Sequence, residues 1–184
     1  MFLKRRDNPF MLIVGMTGVK MGDRFAQIGC AHGGRLAAVG AKVGLSGRAV
    51  AMVPDEASAT RARKGAAQAG ILVEIEIAPP THLPSGDGDF DVVIIDNTGG
   101  LLANMRAEDR IATVGEAFRI LRPRGRVMVI TAAPRGGLGA LITRAESGPP
   151  FDAGPILQAD GFKAVRVLAE REGLVFVEGL KPRE

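Results

Sequence analysis

Short apolar runs alternate along this chain with longer segments of helical period. Residues 25–28, 48–53, 72–77, 91–95 and 126–131 are dense in Val, Ile, Leu, Ala and Met and have the length of buried strands. The run at 91–95 is almost wholly apolar, which predicts a central strand, whereas Glu74 and Glu76 alternate with apolar neighbours in 72–77. Between the strands the period changes to that of a helix. Helices are expected over 33–43, over 54–69 and over 107–121, where Ile111, Val114, Ala117, Phe118 and Leu121 form one apolar face. Pro54, Asp55 and Glu56 suit a helix start, and Gly70 suits its stop. Residues 162–169 and 174–179, joined by 170–173, read as a closing hairpin. The apolar run at 10–14 fits a helix or an extended segment equally, and 132–158 is rich in Gly and Pro with helical turns expected near 138–145.

Five strands alternating with helices predict a doubly wound, mainly parallel α/β sheet that binds ligands beyond the carboxyl ends of its strands. We expect a lead-in over 1–22 packed on a single domain over 23–184. Hydrophobic residues make up 46% and charged residues 24% of the 184, which excludes a disordered chain. With no Trp or Tyr, the large core side chains are aliphatic or drawn from eight Phe. No apolar run approaches the roughly 20 residues of a membrane span. The N-terminal residues imitate a secretory leader only faintly, and none is expected.

Charge and cysteine usage narrow the partners. The formal net charge is +4, with clusters at Arg61, Arg63 and Lys64 and at Arg119, Arg122, Arg124 and Arg126. Neither cluster interleaves aromatics, so both read as solvated faces rather than a nucleic-acid site. Cys30 is the only cysteine, which excludes an intrachain disulfide and favours the cytoplasm. Assembly as a homodimer is compatible with the sequence.

Candidate chemistry concentrates after two of the strands. Gly29, Gly33 and Gly34 lie between strand 25–28 and the next helix, where they either seat a cofactor or make a tight turn. Asp96 and Asn97 end the strand at 91–95, as functional polar groups or as caps of the following turn. Cys30, His32 and His82 lack a fourth ligand, so no metal site is expected. There is no Ser-His-Asp arrangement and no phosphate-loop signature.

Four stretches carry a family resemblance over nearly the whole chain. They are 20–33, which includes Ile28-Gly29-Cys30-Ala31-His32-Gly33; 82–91, with Leu83-Pro84 and Phe90-Asp91; 116–126, with Leu121-Arg122-Pro123-Arg124-Gly125; and 161–182. In that order they resemble the class I S-adenosylmethionine-dependent methyltransferases, in the methyltransferase type 11 branch that includes quinone-biosynthesis C-methyltransferases. The resemblance implies a seven-stranded sheet of order 3-2-1-4-5-7-6 with strand seven antiparallel. It also implies S-adenosylmethionine as cofactor, without a metal, and methyl transfer to a small or lipophilic acceptor. By position it carries cofactor binding onto Gln27, Gly29, Ala31, Gly33, Val53, Asp55 and Asp96, with Asp96 nearest the acceptor. Several of these depart from the family's pattern. Gln27 stands for an acid, Ala31 for the middle glycine, Val53 for the acid that holds the ribose hydroxyls, and Pro79 for an Asp beside adenine. Asp55, two residues beyond Val53, is a substitute ligand or a helix-start residue. The departures keep open an alternative, a catalytically inactive methyltransferase-like binding or scaffold protein. A nicotinamide-dependent oxidoreductase is disfavoured by Ala31 and Val53. Whether 134–155 forms a lid is left open by the sequence.

Overall fold

A computed structural model describes residues 10–133 and 151–183. The helical turns expected at 138–145, and most of the segment weighed as a lid, lie outside the described residues. Seven strands form one sheet in the order β3-β2-β1-β4-β5-β7-β6. They are β1 (Arg24–Ile28), β2 (Arg48–Val53), β3 (Glu74–Ile77), β4 (Phe90–Asn97), β5 (Leu121–Ala132), β6 (Lys163–Arg171) and β7 (Leu174–Leu180). β1 to β5 pair in parallel, and β7 runs antiparallel to both β5 and β6. The helices are α1 (Met11–Thr17), α2 (Gly33–Val43), α3 (Glu56–Ala69), α4 (Ala107–Ile120) and α5 (Gly154–Ala159).

Strand alternation divides the core in two. Ala26, Ile28, Val50, Met52, Val93 and Ile95 share one apolar cluster with Val114 and Ala117 of α4 and Leu157 of α5. Phe25, Ala49, Ala51, Val53 and Ile94 share the other with Leu36 and Val39 of α2 and Ala59 and Ala62 of α3. A sheet covered on both faces explains why its middle strands read as continuous apolar runs.

Local sequence sets the element ends. The Asp55 carboxylate caps α3 by accepting the Ser58 N–H at 2.7 Å, and Gly70 closes the helix in the left-handed conformation at φ 66°. The apolar run at 10–14 resolves as the helix α1. Several expectations shift. Leu121, expected on the apolar face of the helix, opens β5 instead, five residues before the expected strand start at 126. β3 begins at Glu74 rather than Leu72, which is 85% exposed. Ile111 is 57% exposed, because the buried stripe of α4 runs through Thr113, Val114, Ala117 and Ile120 instead. α5 lies in a stretch whose Gly and Pro content argues for loop, with Pro155 accommodated in its first turn.

One polar network fixes the approach to β4. Arg119 of α4 donates to the carbonyls of Ser85 (2.7 Å) and Leu83 (3.1 Å), and pairs with Glu116 and Asp87. Glu116 accepts the Leu83 N–H at 2.6 Å. The turn before β4 is thereby tied to the helix after it.

Candidate functional site

Two turns meet at the carboxyl ends of the central strands. The first follows β1. Gly29 leaves the strand at φ +80°, a left-handed conformation that glycine adopts without strain. Its N–H donates to the Met52 carbonyl of β2 at 2.8 Å. Its carbonyl accepts Nε2 of Gln27 at 2.9 Å. Gln27 is only 3% exposed, and its amide bonds the turn as a carboxylate at this position could not, since a carboxylate only accepts.

The second turn follows β4, and Asp96 joins the two. Its Oδ2 accepts the Ala31 N–H at 2.9 Å, while Oδ1 accepts the Thr98 N–H at 3.1 Å and hydroxyl at 2.6 Å. Arg35, in the first turn of α2, donates Nη1 to Thr98 Oγ1 at 2.9 Å. From the other side, Arg61 of α3 donates Nε to the Cys30 carbonyl at 2.8 Å. Asn97, 2% exposed, accepts the Leu102 and Ala103 N–H groups at 2.7 and 3.2 Å.

These contacts draw the turns close together. A β-carbon on Gly29 would stand 2.9 Å from Leu101 Cδ2 and 3.3 Å from the Asp96 carbonyl oxygen. One on Gly99 would stand 3.2 Å from the Ala31 β-carbon. Gly29 is therefore packed so closely against Leu101 and the Asp96 carbonyl that a side chain there would collide with them. Met105 and Phe151, like Leu101, are half-buried apolar residues packed on the same core cluster. Arg110 bridges them, donating Nη2 to the Met105 carbonyl at 2.8 Å with its guanidinium 5.3 Å from the Phe151 ring centre.

The fold thus brings Gln27, Gly29, Ala31 and Asp96 together and separates the other candidates from them. A β-carbon on Gly33 would lie 2.0 Å from the Arg61 carbonyl oxygen, so Gly33 faces α3 in a backbone-to-backbone helix crossing. Val53 is fully buried in the cluster that holds Ala59 and Ala62. Asp55 is exposed, and the Ser58 hydrogen bonds that occupy it hold its carboxyl below the usual range. Burial pushes the Cys30 thiol up to about 11, with the Asp96 charge adding to the effect. Among the described residues no group of three or more His, Cys, Asp or Glu is placed to hold a metal ion, and no helix is long and apolar enough to cross a membrane.

Sequence reasoning missed Thr98, Leu101, Arg35 and Arg61. The Gly99-Gly100 pair after β4 was a visible signal for the first two, being the same kind of punctuation that marked Gly29. Arg35 and Arg61 had none, since their reach depends on how α2 and α3 cross. A groove of about 490 Å³ also opens at the opposite, amino ends of β2 and β3, flanked by Leu45, Leu72 and the Arg48–Glu74 ion pair. It is remote from the two turns.

Comparison with known proteins agrees with this architecture. A family model described as a methyltransferase domain matches residues 25–125. An uncharacterized protein of Mycobacterium tuberculosis is 28% identical over 131 residues, which is 71% of this chain and 45% of the relative. A Mycobacterium bovis protein aligns to the same extent, so the chain spans under half the length of these curated relatives. Among solved structures, a SAM-dependent methyltransferase from Aquifex aeolicus superposes with a TM-score of 0.72 at 18% identity, over 94% of this chain and 89% of that one. A SAM-dependent O-methyltransferase from Thermotoga maritima gives 0.66 at 18% identity, over 99% and 67%. Identities this low speak for the fold alone. With the family match running over more than half of its length and the sheet order matching, the chain belongs to the methyltransferase-domain family and has the class I S-adenosylmethionine-dependent methyltransferase fold.

Proposed function

We propose that this domain binds S-adenosylmethionine at the turn after β1 and transfers its methyl group to a small or lipophilic acceptor. The observation that carries the reading is the left-handed Gly29 turn after β1, which the Asp96 carboxylate ties to the end of β4 through the Ala31 N–H. A glycine turn between a strand and a helix lets a cofactor approach the backbone closely. The residues fit the methionine end of the cofactor, with Gly29 and Ala31 as the floor and Asp96 fixing the loop. The first amides of α2 have no side-chain cap, which leaves N–H donors at that end of the helix. When bound, the cofactor supplies a methyl group on a sulfonium, ready for in-line displacement. The protein's part is to hold the two reactants in register and keep water out. Met105 and Phe151 would give the acceptor an apolar wall, consistent with a lipophilic substrate. The single buried cysteine supports a cytoplasmic setting.

One observation favours a second reading, a binding protein without catalysis. Val53 turns its side chain into the core and Asp55 is engaged as a helix cap, so no carboxylate at the end of β2 is offered to ribose hydroxyls. A missing charged hydrogen bond of about 1.5–3 kcal/mol lowers affinity roughly ten- to 150-fold. Calorimetric titration of the protein with S-adenosylmethionine and S-adenosylhomocysteine separates the readings. Saturable heat at sub-millimolar ligand supports the enzyme. No heat at millimolar concentrations of either sinks it and leaves the binding protein.

A further inference from the structure

We propose that Thr98-Gly99-Gly100-Leu101 is a latch that shuts the cofactor crevice and must be displaced for the crevice to fill. The inference rests on the cofactor reading above and adds a control to the same site. Its ends are fixed. Asn97 is 2% exposed and donates Nδ2 to Thr131 Oγ1 at 3.3 Å, and Leu102 is fully buried with its N–H on Asn97 Oδ1. Between these anchors lie two glycines, Gly100 at φ +80°, the residues best able to absorb a change of backbone path. Several contacts hold the closed position. Leu101 Cδ2 lies 2.9 Å from where a β-carbon of Gly29 would stand, Gly99 abuts Ala31, Thr98 Oγ1 accepts Arg35 Nη1, the Thr98 N–H and hydroxyl donate to Asp96 Oδ1, and the Gly100 N–H donates to the Asn97 carbonyl. Leu101 packs on the face of the Gly29 turn where the cofactor reading seats the ligand, so latch and ligand compete for one volume.

This arrangement sets a direction for affinity. If only the open fraction binds, apparent affinity falls by that fraction, and weakening the latch raises it. Leu101→Ala removes the side chain from the Gly29 turn. Thr98→Val removes the hydroxyl's bonds to Arg35 and Asp96 while keeping the residue's shape, and it serves should Leu101→Ala fail to fold by circular dichroism. S-adenosylhomocysteine is the calorimetric probe, and amide hydrogen exchange over peptides covering 98–101 is a second readout that needs no turnover.

The expected result has three parts. Either variant binds the probe about tenfold more tightly than the unaltered protein. Either exchanges faster over 98–101 before ligand is added. In the unaltered protein, saturating probe speeds exchange over 98–101 while slowing it over 29–34. Binding by the unaltered protein with equal or weaker binding by a folded variant overturns the latch and leaves the cofactor reading standing. Absence of binding in both proteins at millimolar probe overturns the cofactor reading and the latch with it.

Discussion

Asp96 Oδ2 and the Ala31 amide, 2.9 Å apart, join two turns separated by 65 residues of sequence. The same carboxylate accepts two further hydrogen bonds from Thr98, so three donors converge on a side chain that is 5% exposed. Asp96→Asn replaces one acceptor oxygen by an amino group facing donors and leaves a buried N–H unpaired. We expect a loss of about 1–3 kcal/mol, read as a lower urea midpoint at unchanged slope. An unchanged midpoint would mean that the two turns are held by their packing alone.

Gly33 and Gly65 set the approach of α2 to α3. A β-carbon on Gly65 would lie 2.2 Å from the Gly33 carbonyl oxygen, too close for any side-chain rotation to relieve. Gly65→Ala must therefore push the helices apart, although alanine favours helix by roughly 1 kcal/mol over glycine. Overpacking of this kind costs about 1–3 kcal/mol and can exceed that. The net expectation is destabilisation, measured as a fall in Tm. At Gly15, where a β-carbon meets nothing within 4 Å, the substitution Gly15→Ala should raise Tm or leave it unchanged.

The sheet was legible in the sequence because each strand's signal is local. The apolar density at 91–95 and the single glycine stop at Gly70 report burial and chain reversal directly. The closing hairpin was legible from its own two runs at 162–169 and 174–179, whereas the strand order came only through the family resemblance. The site was legible only where backbone chemistry decides it. Gly29 and Asp96 stand out as a turn glycine and a strand-end acid, and the fold brings them together. Gly33 looked identical to Gly29 in sequence but answers to a helix crossing, a property of two elements at once. Val53 could be read as a departure from the family's acid, yet its burial among α3 alanines follows from which face of β2 it occupies. Leu101 was invisible for the same reason: a half-buried leucine after a strand carries no local mark of what it covers.

Glu116 gives the fold an acid sensitivity. The hydrogen bond from Arg119 holds its carboxyl below the ordinary value, aided by the Leu83 N–H and opposed by burial. A carboxylate depressed on folding contributes stability that is fully present above its unfolded pKa of about 4.3 and is lost as pH falls through the folded value. Urea midpoints of the unaltered protein should therefore decline below about pH 4.3. Glu116→Gln should start lower at pH 7 and decline less over the same range. Parallel profiles for the two proteins would assign the acid loss to other carboxylates, Asp91 first among them, whose carboxyl is also lowered despite its burial by bonds from Arg24 and Arg122.

Cys30 offers a reporter of the turn after β1 because no second thiol competes with it. Burial raises its pKa to about 11, and its side chain sits in the core cluster with Val53 and Leu36. Only the thiolate is alkylated at an appreciable rate. At pH 8 a thiol titrating near that value is about 0.1% ionised, against about a quarter for an unperturbed one at 8.5. Iodoacetamide should therefore modify the native protein at least two-hundredfold more slowly than the urea-unfolded chain, roughly the ratio of those ionised fractions. Restricted access slows the native reaction further. Asp96→Asn removes the charge that adds to burial in raising this pKa and loosens the turn, so both effects predict faster alkylation in that variant. A native rate within about tenfold of the unfolded one would show a thiol that ionises as though in water, and would remove Cys30 from the core in which the fold places it.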